Sequence, residues 1–175
     1  MGHNRIMKFP SGRYGRQTME FFPAPYRSPI RAFAALVFPW YGDEVLLCDI
    51  CDRGWCIPSG RVEPGESSLE AAVREAREEA GAILQDIVYL GTYRITERNE
   101  VRWADVFVAQ VAELAEITHE NESKGRQFVP RPEIEGIYHQ WNPLLEAVFN
   151  YSHEVMVRYR RLMCLEVTER PAHWA

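Results

Sequence analysis

The chain has 175 residues, 46% of them hydrophobic, and a net charge of −5. This suits one domain with a sizeable core and excludes global disorder. The acidic balance argues against nucleic acid as the main partner. No apolar run reaches the roughly 18 residues of a membrane span, and no apolar segment follows the basic N-terminus as in a signal peptide, so the expected location is the cytoplasm and no membrane partner is expected.

Residues 1 to about 17 are polar and basic and read as poorly ordered. Pro23, Pro25 and Pro29 then mark an extended arm, which gives an N-terminal arm over residues 1–30, partly flexible. Two apolar runs, Ala32–Phe38 and Val45–Ile50, flank a Gly42-Asp43 turn and predict a hairpin. Cys48 and Cys51 form a CxxC, but with no second such pair, and Cys48 sits in an alternating apolar run. Structural thiols are the expectation for these and for Cys56 and Cys164. A second hairpin is predicted from "ILQDIVYLGTYRIT" and "VRWADVFVAQV". Residues 118–131 read as a mobile loop and "EIEGIYHQW" as a strand. Asn142-Pro143 starts a helix, and Ser152 is expected to cap a last helix with Val155, Met156, Tyr159, Leu162 and Met163 at helical spacing. Arg158, Arg160 and Arg161 on that helix read as a solvated face. Strands around isolated helices predict a mixed α/β sandwich. A single domain over residues 31–170 would then be followed by a tail at 171–175.

Between the hairpins lies "GRVEPGESSLEAAVREAREEAGA", residues 60–82, dense in Glu. Ser67 and Glu70 make a capping box, and Gly81 suits the left-handed position that ends a helix. At about 100° per residue, Leu69, Ala72, Val73, Ala76 and Ala80 form one stripe, read as the buried side. Glu75, Glu78 and Glu79 form a second stripe bordering it, with Glu70, Arg74 and Arg77 on the far side. Converging carboxylates suit Mg²⁺ or Mn²⁺. Surface pairs of Arg74 with Glu70 and Glu78 are the competing explanation.

The stretch resembles the Nudix box, G-x5-E-x7-R-E-U-x-E-E-x-G-U, in which U is a bulky aliphatic residue. Gly60, Glu66, Arg74, Glu75, Glu78, Glu79 and Gly81 occupy its fixed positions, while Ala76 and Ala82 depart from it at U. "WCIPSG" also resembles the family's approach to the box. The resemblance implies an α-β-α sandwich with a mixed sheet and a loop–helix–loop. It implies a metal-dependent hydrolase of a nucleoside diphosphate linked to another moiety, using Mg²⁺ or Mn²⁺. Glu78 and Glu79 would be principal metal ligands, with Glu75 as ligand or proton acceptor and the Gly60 carbonyl as a further ligand. Glu66 and Arg74 would brace the loop, and Gly81 would end the helix. Glu133 and Glu135 are further candidates for the base. A module that binds nucleotides or partners without hydrolysis is the alternative, but it has no need of the full set of acids. The residues themselves offer Trp103, Asp105 and Phe107, on one strand face, as a surface for stacking a base, although aromatics at alternating strand positions are more often core, and Tyr93 and Trp55 share that ambiguity. Similar proteins include homodimers, and the apolar stripe on the last helix permits one here.

Overall fold

The protein is described from a computed structural model, in which residues 8–118, 122–163 and 170–174 are placed. Among the described residues, nine strands form one mixed sheet: β1 (Gly12–Tyr14), β2 (Gln17–Pro23), β3 (Ala34–Tyr41), β4 (Glu44–Ile50), β5 (Gly54–Cys56), β6 (Ser59–Arg61), β7 (Ala82–Glu97), β8 (Glu100–Leu114) and β9 (Ser123–Pro130). The order is β1-β2-β7-β8-β3-β4-β5, with β6 on β3 and β9 on β4. β3 and β8 run parallel, with Ala35 opposite Asp105, and β7 and β8 form the predicted long hairpin.

Helix α1 (Ser68–Ala80) covers one face and α3 (Pro143–Met163) the other, giving an α-β-α sandwich. Under α1 the core is built from Ala71, Ala72, Ala76 and Ala80 against Ala35, Val37, Leu46 and Phe107. Under α3 it is built from Leu144, Val148, Phe149 and Met156 against Phe38, Trp40, Leu90 and Tyr93. Cys48, Cys51 and Cys56 are free thiols, and Cys164 lies outside the described residues. No helix among the described residues is long and apolar enough to cross a membrane.

Several expectations are corrected. Residues 12–23 are a hairpin of the sheet rather than a loose arm: β2 pairs with β7, and Phe21, opposite Tyr93, is buried. Residues 1–7 fall outside the described part. The polar segment after residue 118 contains β9, whose backbone pairs with the whole of β4. Its own apolar signal is slight because the partner strand supplies its order. The strand expected at "EIEGIYHQW" is instead a 3-10 turn (Arg131–Glu133) and the short helix α2 (Ile134–Ile137). Ile134, Ile137 and Tyr138 have i, i+3, i+4 spacing, which a helix satisfies and a strand does not.

Asn142 caps α3 by accepting from the Leu145 amide at 3.0 Å, but the helix does not restart at Ser152. That buried hydroxyl donates to the Phe149 carbonyl at 2.7 Å and accepts from Trp40 Nε1 at 3.0 Å. Arg160 is also buried, donating to the Gly42 carbonyl at 3.4 Å, so the three arginines are not one solvated face. Of the stripe expected along this helix, Met156 is in the core while Leu162 and Met163 are exposed.

Candidate functional site

After β4 the chain turns through Cys51–Arg53, forms β5, and returns as β6 alongside β3, with Gly60 opposite Ala35. A turn at Pro64-Gly65 leads into α1. There Ser67 accepts from the Glu70 amide, and the Glu70 carboxylate accepts from the Ser67 amide at 2.8 Å. The helix ends at Gly81 in the left-handed conformation, φ 61°. A Cβ there would run into the Ala115 carbonyl and the Arg126 guanidinium, so both conformation and space require glycine.

The buried side of α1 is rotated from the expected stripe. Leu69 and Val73 are exposed, while Ala71 and Glu79 are buried with Ala72, Ala76 and Ala80. This rotation brings the acids onto β6. Glu79 Oε2 accepts from the Ser59 amide at 2.9 Å, and Oε1 accepts from Arg53 Nη2 at 2.7 Å. Burial pushes its carboxyl up to about 7, against the pull of the Ser59 amide and the Arg53 guanidinium. The Glu75 carboxylate lies directly on Gly60, where any Cβ would coincide with it. Only glycine lets a carboxylate and this strand meet there.

Arg74 does not lie apart from the acids. Its Nε and Nη2 grip Glu66 at 2.8 and 3.1 Å, and Nη1 reaches Glu75 at 2.7 Å and Glu78 at 3.0 Å. Nη2 also donates to the Arg61 carbonyl at 2.9 Å. This bidentate contact, first of several, holds the Glu66 carboxyl below its usual range. Arg74 thus ties the loop, the acidic face and β6 together.

On the other side of β6 is a cavity of about 310 Å³, mostly apolar, between the sheet, the N-terminal hairpin and the start of α3. Tyr14, Leu36, Tyr93, His139, Asn142 and Leu145 are among its walls, and Arg53, Ser59, Gly60 and Arg61 form the edge shared with the acidic face. The Tyr93 hydroxyl is buried with no hydrogen-bond partner among the described residues.

Trp103, Asp105 and Phe107 do not line this cavity. Trp103 packs on Phe22 and Tyr26, with ring centroids 5.8 and 6.0 Å away. Asp105 accepts from Ser68 Oγ at 2.7 Å, and Phe107 joins the core under α1. Asp105 and Phe107 thus anchor α1, while Trp103 packs on the end of β2 and the segment after it. Glu133 and Glu135 stand exposed on the short helical segments, and Glu135 borders a separate cavity with Arg131 and Trp141. Sequence reasoning missed Arg53, Ser59 and the cavity walls. Arg53 had one signal, a lone cation just ahead of the acid-rich stretch. The walls come from five separate segments and, apart from the ambiguous Tyr93, had none.

Among the described residues, no His, Cys, Asp or Glu side chains converge as they stand into a group of three around one point. The carboxylates are turned onto Arg74 and Arg53 instead. In identity and position they nevertheless fit a hard divalent cation: the donors are oxygens along one helix edge, beside a strand that glycine leaves open.

The architecture is thus an α-β-α sandwich in which a loop–helix–loop lays acids on a strand beside an apolar cleft. The NUDIX domain model matches residues 30–163, and the chain belongs to the Nudix family. Members of this family generally use a divalent cation held by the glutamates of the box. The chain is 36% identical over 85 residues to YtkD of Bacillus subtilis (strain 168), named for 8-oxo-dGTP diphosphatase activity; the match covers 49% of this chain and 54% of YtkD. It therefore spans about half the length of that relative. Among solved structures, the pyrophosphohydrolase BsRppH of Bacillus subtilis superposes with a TM-score of 0.67 at 25% identity, over 87% of this chain and 95% of that one. A NUDIX hydrolase from Nitrosomonas europaea shares the fold, with a TM-score of 0.61 at 23% identity over 72% and 90% of the two chains.

Proposed function

We propose that the protein is a metal-dependent hydrolase that cleaves a pyrophosphate bond in a nucleoside diphosphate linked to another moiety. The observation that carries this reading is β6, which meets Glu79 and Glu75 on one side and borders the apolar cavity on the other. A diphosphate lying over Gly60 would have the acids on one flank and space for its nucleoside on the other. YtkD, by its name, acts on a purine nucleotide, which favours a purine here.

Glu78 and Glu79, with the Gly60 carbonyl, would hold Mg²⁺ or Mn²⁺, and Glu75 would act as a further ligand or as the proton acceptor. Such a cation, when bound, neutralises phosphate charge and acidifies water. The chain's own residues do the rest. Arg74 keeps Glu75 and Glu78 beside β6 and the loop closed through Glu66. Water forms a new O–P bond, the bridging P–O bond breaks, and a carboxylate takes the water's proton.

The test is a panel of nucleoside diphosphate compounds with Mg²⁺ or Mn²⁺, read as release of phosphate or mononucleotide, alongside Glu78→Gln and Glu79→Gln. Turnover confined to the wild type supports the proposal. Turnover that survives both substitutions removes the site, and tight nucleotide binding without turnover across the panel supports a binding module instead.

A further inference from the structure

Arg74 already faces Glu66, Glu75 and Glu78, so the guanidinium set against Glu79 is that of Arg53, from the turn between β4 and β5. The two partners differ in freedom. The Glu79 side chain is 3% exposed and that of Arg53 is 36%. Glu79 keeps a hold independent of Arg53, because Oε2 accepts from the Ser59 amide. Arg53 is held by Glu79 Oε1 and by Ser59 Oγ at 2.8 Å, and its side chain also forms part of the cavity wall beside Gly60 and Arg61. It therefore lies between the acidic face and the cavity, where the diphosphate of the proposed substrate would pass.

A guanidinium and a divalent cation on the same carboxylate repel each other. When the second arrives, the more exposed group is the one able to leave. We infer that Arg53 is a phosphate-binding residue that changes partners: it neutralises Glu79 in the metal-free protein, gives way to the cation, and turns its fork of donors onto the substrate's diphosphate. The planar guanidinium matches paired phosphate oxygens, which a flexible ammonium does not. Metal and phosphates are thereby linked, since the cation that needs Glu79 also releases the residue that receives the phosphates. This rests on the hydrolase reading above.

The test is calorimetric, on the full chain at about pH 9, where carboxylates are ionised. Mg²⁺ alone is titrated first, then inorganic pyrophosphate in excess Mg²⁺. Arg53→Ala is expected to bind Mg²⁺ about threefold tighter or more, because a competing cation is gone, and pyrophosphate about tenfold weaker. Arg53→Lys is expected to fall between Arg53→Ala and the wild type for pyrophosphate. Should the alanine variant not fold, Arg53→Gln carries the same two readings. Weaker Mg²⁺ binding would make Arg53 a brace for Glu79 and overturn the inference, as would unchanged pyrophosphate binding. A wild type that binds no pyrophosphate with Mg²⁺ would overturn the hydrolase reading as well.

Discussion

The two faces of the sheet are covered by helices of different make. Against one face α1 sets Ala71, Ala72, Ala76 and Ala80, while against the other α3 sets Leu144, Val148, Phe149 and Met156. Small residues let a helix sit close to the strands, and here that closeness lets Glu79 reach the Ser59 amide and Glu75 lie on Gly60. Under α3 large residues fill the core, and near its N-terminus a cavity of about 310 Å³ remains. Side-chain size thus gives one strand two surroundings, a charged cradle on one side and an apolar cleft on the other. Charge is sorted in the same way, with Arg74 and Arg53 on the acids and a cleft whose exposed surface is mostly apolar.

The comparison breaks first at the acids. Glu79→Gln is expected to lower kcat/KM on the order of 1,000-fold, the scale of several kcal/mol of lost charge stabilisation. Glu70→Gln on the same helix, whose carboxylate serves the Ser67 cap, should leave turnover within about twofold and lower the melting temperature only slightly, because glutamine can also close a capping box. Turnover assays and thermal melts of the two variants separate site from surface. Gly60→Ala comes next. Its Cβ would displace Glu75, and a displacement of that size costs on the order of 100-fold in rate. A variant with normal rate would show that the cradle is not needed.

On the cavity side, Leu145→Trp should raise KM for a nucleotide substrate about tenfold while leaving Mn²⁺ binding unchanged, as expected for loss of binding that is uniform along the reaction. Acid pH probes Glu79 without mutation. Its folded carboxyl titrates at about 7 against an ordinary 4.5. The folded protein therefore holds this proton to higher pH than the unfolded chain does. In the metal-free protein this group's contribution to stability falls as pH rises from 4.5 to about 7, and is flat above. Metal must displace the proton, so apparent Mn²⁺ affinity should fall by up to about tenfold per unit below pH 7. Affinity unchanged between about pH 8 and pH 6 would take Glu79 out of the metal site.

Helix α1 was legible because its signals are local: the Ser67–Glu70 box, Gly81 and the spacing of the acids lie within a single stretch. Its rotation was not. Leu69 and Val73 read as core by hydrophobicity, yet Glu79 takes the buried place because Ser59 and Arg53, distant in sequence, satisfy its oxygens. The same distance hid β9, whose order comes from β4, and β2, whose Phe21 is buried opposite Tyr93. Ser152 looked like a cap because serine usually serves there, and only Trp40 on another element explains a buried serine in mid-helix. The cavity was the least legible feature, since its walls meet only when the N-terminal hairpin and α3 close over the sheet.

A crystal of the protein grown with Mn²⁺ and a non-hydrolysable nucleoside diphosphate analogue, with the metal located by its anomalous scattering, tests the central claim most directly. The account predicts Mn²⁺ between the Gly60 carbonyl and the carboxylates of Glu78 and Glu79, with the nucleoside in the cavity beside Tyr93 and Leu145. Mn²⁺ elsewhere, or a nucleoside stacked on Trp103 across the sheet, would contradict it.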